Sequence, residues 1–180
     1  TPGNTVSNLS STKALKLVTE KRKGNYYSAA VGEVNVVAKM KEVDAVIGGE
    51  GNGGIIYPEL HYGRDALVGI ALFLSHLAQI DRPSSMLRAQ YPNFFISKNK
   101  IELTSESNID AILKTLKGKY AKHPINTEDG LKIEFNDDWI HLRKSNTEPI
   151  IRIFAEAKSL VTADHLANKI ISDIKEIITD

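Results

Sequence analysis

The chain contains no cysteine, which excludes a disulfide framework, a thiolate metal site and a cysteine nucleophile, and suits a reducing, cytoplasmic setting. It has almost no net charge: 23 basic against 22 acidic residues, formally +1, provides no general attraction for nucleic acid or an anionic membrane. Any anion site must therefore be local. Long hydrophobic runs are also missing. The longest, Ala66 to Leu74, is nine residues, against roughly 20 for a membrane-spanning helix. The five histidines at 61, 76, 123, 141 and 165 show neither H-E-x-x-H nor paired-ligand spacing, and no G-x-S-x-G elbow occurs, so neither a metal site nor a catalytic residue is assigned. No initiator Met and no charged-then-apolar leader opens the chain; the expectation is a processed product or a piece of something longer. The triplet Asn8-Leu9-Ser10 is read as a chance sequon.

What is present is a change of pattern near Arg88. The first half alternates helix and strand: a helix over Ser11–Arg22, a strand over Tyr26–Ala30, a helix over Glu33–Glu42 with Val34, Val37 and Ala38 aligned, and a strand over Ala45–Ile47. Asp65 caps a third helix whose apolar residues fill most of its circumference, so it is expected to be buried. The stretch "IDRPSSMLRAQYP" reads as a linker containing a short helical turn. Beyond it come an extended segment over Phe94–Leu103 and a helix over Ile109–Tyr120. A meander follows at Leu131–Phe135, Trp139–Arg143 and Ile150–Ala155, then a closing helix with Thr162 as N-cap and Leu166, Ile170, Ile174 and Ile177 as its apolar stripe. Two domains are expected, residues 1–88 of α/β character and residues 89–180 of α+β character.

The stretch "DAVIGGEGNGGIIYPE" holds G-x-G-x-x-G at Gly49, Gly51 and Gly54. A dinucleotide turn needs a helix directly after the last glycine, whose N-terminus meets the pyrophosphate. Here Ile55-Ile56-Tyr57-Pro58 follows, which favours a strand. Two readings stay open: a glycine-rich hairpin without a ligand, or a sugar reader. In the second, Glu50 and Asn52, set among glycines, offer an acceptor carboxylate and a donor-acceptor amide to adjacent hydroxyls.

The second motif is "RKSNTEPIIR", residues 143–152. Ser145, Asn146 and Thr147 supply side-chain donors, and Arg143 and Arg152 close both ends; two planar guanidinium forks with hydroxyls can satisfy a phosphate dianion. From Tyr91 to Asp180 there are 13 basic and 14 acidic residues, yet the only arginines are these two. A solvated hairpin with surface arginines is the alternative. His141 near this loop is expected on the surface, and Glu33 and Arg64 suit helix-terminal or salt-bridge roles as well as a place beside the glycine loop.

In order, "AVGEVNVVAKM", "GGEGNGGIIYPE", "GRDALVG" and "RKSNTEPIIRIFAEA" resemble the α-D-phosphohexomutases over nearly the whole chain, specifically the third and fourth of that family's four domains. The resemblance implies a mixed α/β third domain and a TATA-binding-protein-like antiparallel fourth domain. It implies sugar contacts from Glu50 and Asn52, and a non-transferred phosphate held by Arg143, Ser145, Asn146, Thr147 and Arg152. It also implies interconversion of hexose 1-phosphate and hexose 6-phosphate through a bisphosphate intermediate. The family's phosphoserine and its Asp-x-Asp-x-Asp-Arg loop for Mg²⁺ belong to the first two domains and do not occur here. Mg²⁺ and a hexose 1,6-bisphosphate activator are thus expected of a longer enzyme carrying the missing N-terminal domains, and this portion alone is expected to be inactive. Lys144 stands where many members have proline, Gly54 where some have histidine, Ala30 where some have lysine, and Glu33 where others have histidine or aspartate; these choices leave the preferred sugar open. The other reading is a stand-alone sugar-phosphate-binding or regulatory module. Neither nucleic acid nor membrane is expected as a partner.

Overall fold

The structure is a computed structural model and describes residues 2–103, 108–145 and 148–179. It divides into two compact units, Thr1–Asn93 and Phe94–Asp180, where the change of pattern had suggested a boundary near Arg88. Among the described residues no helix is long and apolar enough to cross a membrane.

The first unit runs β1 (Asn4–Asn8), α1 (Ala14–Lys21), β2 (Tyr26–Ala29), α2 (Glu33–Glu42), β3 (Ala45–Gly49), β4 (Ile55–Ile56), α3 (Ala66–Ile80) and α4 (Ser84–Arg88). Its sheet has the order β2-β1-β3-β4, with β1 parallel to both neighbours and β4 antiparallel to β3. The central strand β1 was not foreseen, because Asn-Thr-Val-Ser-Asn has a single apolar residue. Burial of its polar side chains is tolerated because each finds a partner. Thr5 Oγ1 lies 2.7 Å from Thr19 Oγ1, Ser7 Oγ lies 2.9 Å from the Tyr26 hydroxyl, and Asn4 Nδ2 donates to Val43 O at 2.7 Å.

Val6, Ala29, Val36, Met40, Ala45 and Ile56 form the buried core, with Val37 and Val43 against it. The face of α2 differs from the expected one. Val36 and Met40 are buried, while Val34 is exposed and so is Ala38. Helix α3 corrects a second expectation. Asp65 does cap it, its Oδ1 accepting from Leu67 N–H at 2.8 Å and Val68 N–H at 3.0 Å, but no residue of the helix is buried. Leu67 is 77% and Ile70 54% exposed. All-round hydrophobicity is a good predictor of burial only when something packs on every side.

The second unit runs β5 (Phe95–Glu102), α5 (Ile109–Lys119), β6 (Ile125–Asn126), β7 (Leu131–Glu134), β8 (Trp139–Lys144), β9 (Ile150–Ala157) and α6 (Leu160–Thr179). Its five strands are antiparallel in the order β5-β9-β8-β7-β6, the α+β architecture that the resemblance implied. Alternate residues Leu131, Ile133, Ile140, Leu142, Ile151 and Ile153 meet Ile112 and Leu116 of α5 and Ile170 and Ile174 of α6 in one core. Period 2 on the strands and the helical period on α5 and α6 thus converge on one face. Ser159, rather than Thr162, caps α6, its Oγ accepting from Thr162 N–H at 3.0 Å. Asp173 of α6 ties the helices together by accepting from Tyr120 Oη at 2.6 Å and Lys119 Nζ at 2.8 Å.

His141 is not on the surface but 1% exposed, with its Nε2 2.6 Å from Asp129 O, so the ring donates there as the neutral tautomer. Burial, ahead of its neighbours, pushes its pKa down to about 4. The unfolded chain therefore takes up this proton first as pH falls, and the stability His141 contributes is whole above about 6.5 and lost on the way to about 4. The expected loss is on the order of 3 kcal/mol between pH 7 and 4. Urea denaturation of the chain across that range should show it, and His141→Leu should flatten the profile; an equally steep profile in the variant would refute the assignment.

Candidate functional site

Strands β1, β2 and β3 run in parallel, and the connection leaving β1 goes to one side while β3 lies on the other. Such a reversal of strand order opens a crevice beyond the carboxyl ends. The groups found there come from these three ends: Asn8 closes β1, Gly32 follows β2, and Glu50 follows β3.

Glu50 is the centre of this cluster, with its side chain only 4% exposed. Its Oε1 accepts from Asn8 Nδ2 at 3.0 Å and from Gly32 N–H at 3.1 Å, and its Oε2 accepts from Arg64 Nη1 at 3.3 Å. A carboxylate taken from water needs such donors. Asn8 is itself held, its Oδ1 accepting from Ser11 Oγ at 2.9 Å and Ser10 N–H at 3.1 Å. Arg64 continues outward to Glu33, donating from its backbone N–H at 3.0 Å and from Nε at 2.9 Å. The Arg64 backbone N–H, then its guanidinium, hold the Glu33 carboxyl below its ordinary pKa.

The glycine loop is a hairpin turn rather than a dinucleotide turn. Glu50 N–H donates to Gly54 O at 2.9 Å and Gly53 N–H to Glu50 O at 3.1 Å, and a strand follows. Glycine is required at 49, where a Cβ would stand 2.4 Å from Gly54 O. The two candidate sugar readers diverge: Glu50 turns inward, while Asn52 is exposed and its Oδ1 accepts from Gly54 N–H at 3.1 Å. Among the described residues no partner is seen for the Asn52 amide NH₂, which can donate.

In the second unit, Arg143 of β8 and Arg152 of β9 are direct cross-strand partners, and Lys100 of β5 is the next residue in the same row. The row lies on the sheet face opposite the core residues, by alternation. Asp129 grips Arg143 at Nε, with Oδ2 at 2.9 Å and Oδ1 at 3.1 Å, which orients the guanidinium. Arg152 lies 3.8 Å from Glu148 Oε2 and is half exposed. Ser145 is buried, and its N–H donates to Ile150 O at 3.1 Å, closing the hairpin. Asn146 and Thr147 lie outside the described residues. Three cations in register with a turn beside them are suited to an oxyanion.

Sequence reasoning missed Asn8, Gly32, Asp129 and Lys100. The first two depended on recognising β1 and the strand order; the last two were available only from the register, since Lys100 is 43 residues from Arg143 in the chain. Among the described residues no group of three His, Asp or Glu side chains could hold a metal ion. The Mg²⁺ implied by the resemblance therefore has no fitting ligand set here.

With this geometry in view, the comparisons with known proteins are informative. The model of the phosphoglucomutase/phosphomannomutase alpha/beta/alpha domain III matches residues 1–94, and that of the phosphoglucomutase/phosphomannomutase C-terminal domain matches residues 99–172. The chain is similar to a phosphoglucosamine/phosphogalactosamine mutase of Sulfurisphaera tokodaii, 36% identical over 150 residues, covering 82% of this chain and 32% of the relative. It is 30% identical over 180 residues to a probable phosphoglucosamine mutase of Methanopyrus kandleri, covering 99% of this chain and 40% of the relative. It thus spans between about a third and two-fifths of the length of these relatives. Among solved structures, a phosphoglucomutase/phosphomannomutase family protein from Burkholderia thailandensis superposes with a TM-score of 0.79 at 25% identity, over 97% of this chain and 38% of that one. The fold is shared with Aspergillus fumigatus N-acetylphosphoglucosamine mutase in complex with GlcNAc-6P and magnesium, at a TM-score of 0.66 and 16% identity over 97% of this chain and 39% of that one.

The Asn8 amide supports a nearly inaccessible carboxylate, so Asn8→Ala should lower the stability of the chain by about 1–3 kcal/mol. Urea denaturation measures it; a change below about 0.5 kcal/mol would mean that Gly32 and Arg64 hold Glu50 without help.

Proposed function

Because the chain belongs to the phosphoglucomutase/phosphomannomutase family, we propose that it is the substrate-holding C-terminal part of a phosphohexomutase. The complete enzyme would move phosphate between the C1 and C6 oxygens of a hexose through a bisphosphate intermediate. Residues 1–88 supply the sugar reader, with Glu50 accepting from hydroxyls and Asn52 donating to them. Residues 89–180 supply the phosphate holder, with Arg143, Arg152, Ser145, Asn146 and Thr147 around the ester phosphate that is not being transferred. Neither part performs chemistry. Holding one end of the substrate converts the reaction at the other into a positioned, effectively unimolecular step.

The observation that carries this reading is the cross-strand pairing of Arg143 with Arg152, with Ser145 directly after β8 and one guanidinium oriented by Asp129. It is supported by relatives named for phosphoglucosamine and phosphogalactosamine, and by the GlcNAc-6P complex of a protein with this fold. The phosphoserine and the Mg²⁺ loop would come from preceding domains that the longer relatives have room for. In that longer enzyme Mg²⁺ would supply charge neutralisation of the transferring phosphoryl group, and a hexose 1,6-bisphosphate would be the activator. The location is cytoplasmic, and the 180-residue chain alone has no mutase activity.

A hexose monophosphate held by this part alone should bind near the millimolar range, about −4 kcal/mol. Arg143→Ala should weaken glucosamine 6-phosphate at least about tenfold in an NMR titration while the spectrum remains that of a folded chain. Unchanged affinity would overturn the phosphate assignment.

A further inference from the structure

Arg64 is held more firmly than a surface salt bridge requires, yet only part of it is used. Its backbone N–H and Nε both engage Glu33, and Nη1 reaches Glu50 Oε2 at 3.3 Å. Of the five N–H donors on a guanidinium, these contacts occupy two, and none of the others has a partner among the described residues. The side chain is 47% exposed. Neutralising Glu50 accounts for Nη1 alone, which meets Oε2 at the longest of the three distances, and leaves the rest of the fork unassigned.

The glycine loop makes room for this side chain. A Cβ on Gly54 would stand 2.6 Å from Arg64 Cδ and 2.9 Å from its Cγ. Gly54 is not among the glycines with positive φ, which are Gly32, Gly53 and Gly130, so its backbone makes no demand for glycine. The space occupied by Arg64 does.

We infer that Arg64 is a substrate-contacting residue of the sugar reader: its free guanidinium edge, 47% exposed where Glu50 is only 4% exposed, donates to hydroxyls of the hexose. The inference rests on the hexose-phosphate reading above. Glu33 fixes the guanidinium plane, Gly54 lets the stem lie across the loop, and Glu50 Oε2 holds Nη1. A fork anchored at Nε has its outer N–H groups oriented before the sugar arrives, which lowers the ordering cost of binding.

The test titrates the 180-residue chain with glucosamine 6-phosphate and, separately, with inorganic phosphate, followed by ¹H–¹⁵N NMR. Arg64→Ala should weaken the sugar phosphate about tenfold and leave inorganic phosphate unchanged, because that ion has no hydroxyl array to present. Arg64→Lys should not restore binding, as an ammonium cannot span Glu33 and the ligand at once. Gly54→Ala keeps every atom of Arg64 but pushes on its Cγ and Cδ and, less closely, on Asn52 Oδ1 at 3.3 Å. A loss there therefore supports the assignment only beside a loss in Arg64→Gln, which keeps the stem, removes the fork and decides the matter if Arg64→Ala fails to fold. Sugar-phosphate affinity within about twofold of the unsubstituted chain in both Arg64→Ala and Arg64→Gln, with binding lost in Glu50→Ala, would make Arg64 mere scaffolding and leave the hexose-phosphate reading standing. Failure of the unsubstituted chain to bind the sugar phosphate would overturn that reading and this inference with it.

Discussion

The first unit is organised around the desolvation of one carboxylate. Glu50 sits where three parallel strands end, and a charge so little exposed persists only if donors meet it. Those donors come from β1, from the turn after β2, and from the segment before α3. Three segments far apart in the chain therefore share in holding Glu50. The polar composition of β1 follows from the same constraint. An apolar residue in place of Asn8 would remove a donor that the crevice needs, and Thr5 and Ser7 pair with α1 and β2 rather than with solvent.

The second unit solves a different problem, bringing together cations that are distant in the chain. Antiparallel register does it: Lys100, Arg152 and Arg143 form a row because the strand order is β5-β9-β8. Like charges side by side repel, so the row needs counter-charge. Glu102, Glu148 and Asp129 each hold one member, and only Asp129 does so at a half-buried site. Arg143 is thereby the most firmly oriented of the three. Its anchor is shared with His141, whose ring meets the Asp129 carbonyl, so the loop carrying Asp129 is fixed by two contacts to β8.

Much of this was legible from the amino-acid pattern, for identifiable reasons. Helix α2 was read with its observed bounds, β7 emerged from the alternation of Leu131, Ile133 and Phe135, and β8 and β9 were read as continuing the meander beyond the turn at residues 136–138. Ile55-Ile56 was read as a strand from β-branching and the following proline. Errors arose where local pattern and environment part company. Strand β1 is polar because its neighbours satisfy it; α3 is apolar yet uncovered; His141 is buried against a backbone carbonyl, a contact that no spacing rule reports. Glu50 and Asn52 were found together because glycines isolate them, but their opposite orientations depend on a turn whose amide N–H at Gly54 captures Asn52. Asp129 and Arg64 act through contacts 14 and 31 residues away, which a linear motif cannot contain.

The central proposal is that the arginine row of the second unit holds the phosphate of a hexose phosphate. A crystal structure of the chain soaked with glucosamine 6-phosphate tests it most directly. The account predicts phosphate oxygens within hydrogen-bond distance of the Arg143 and Arg152 guanidiniums. Phosphate bound elsewhere, with both arginines still turned only to Asp129 and Glu148, would contradict it.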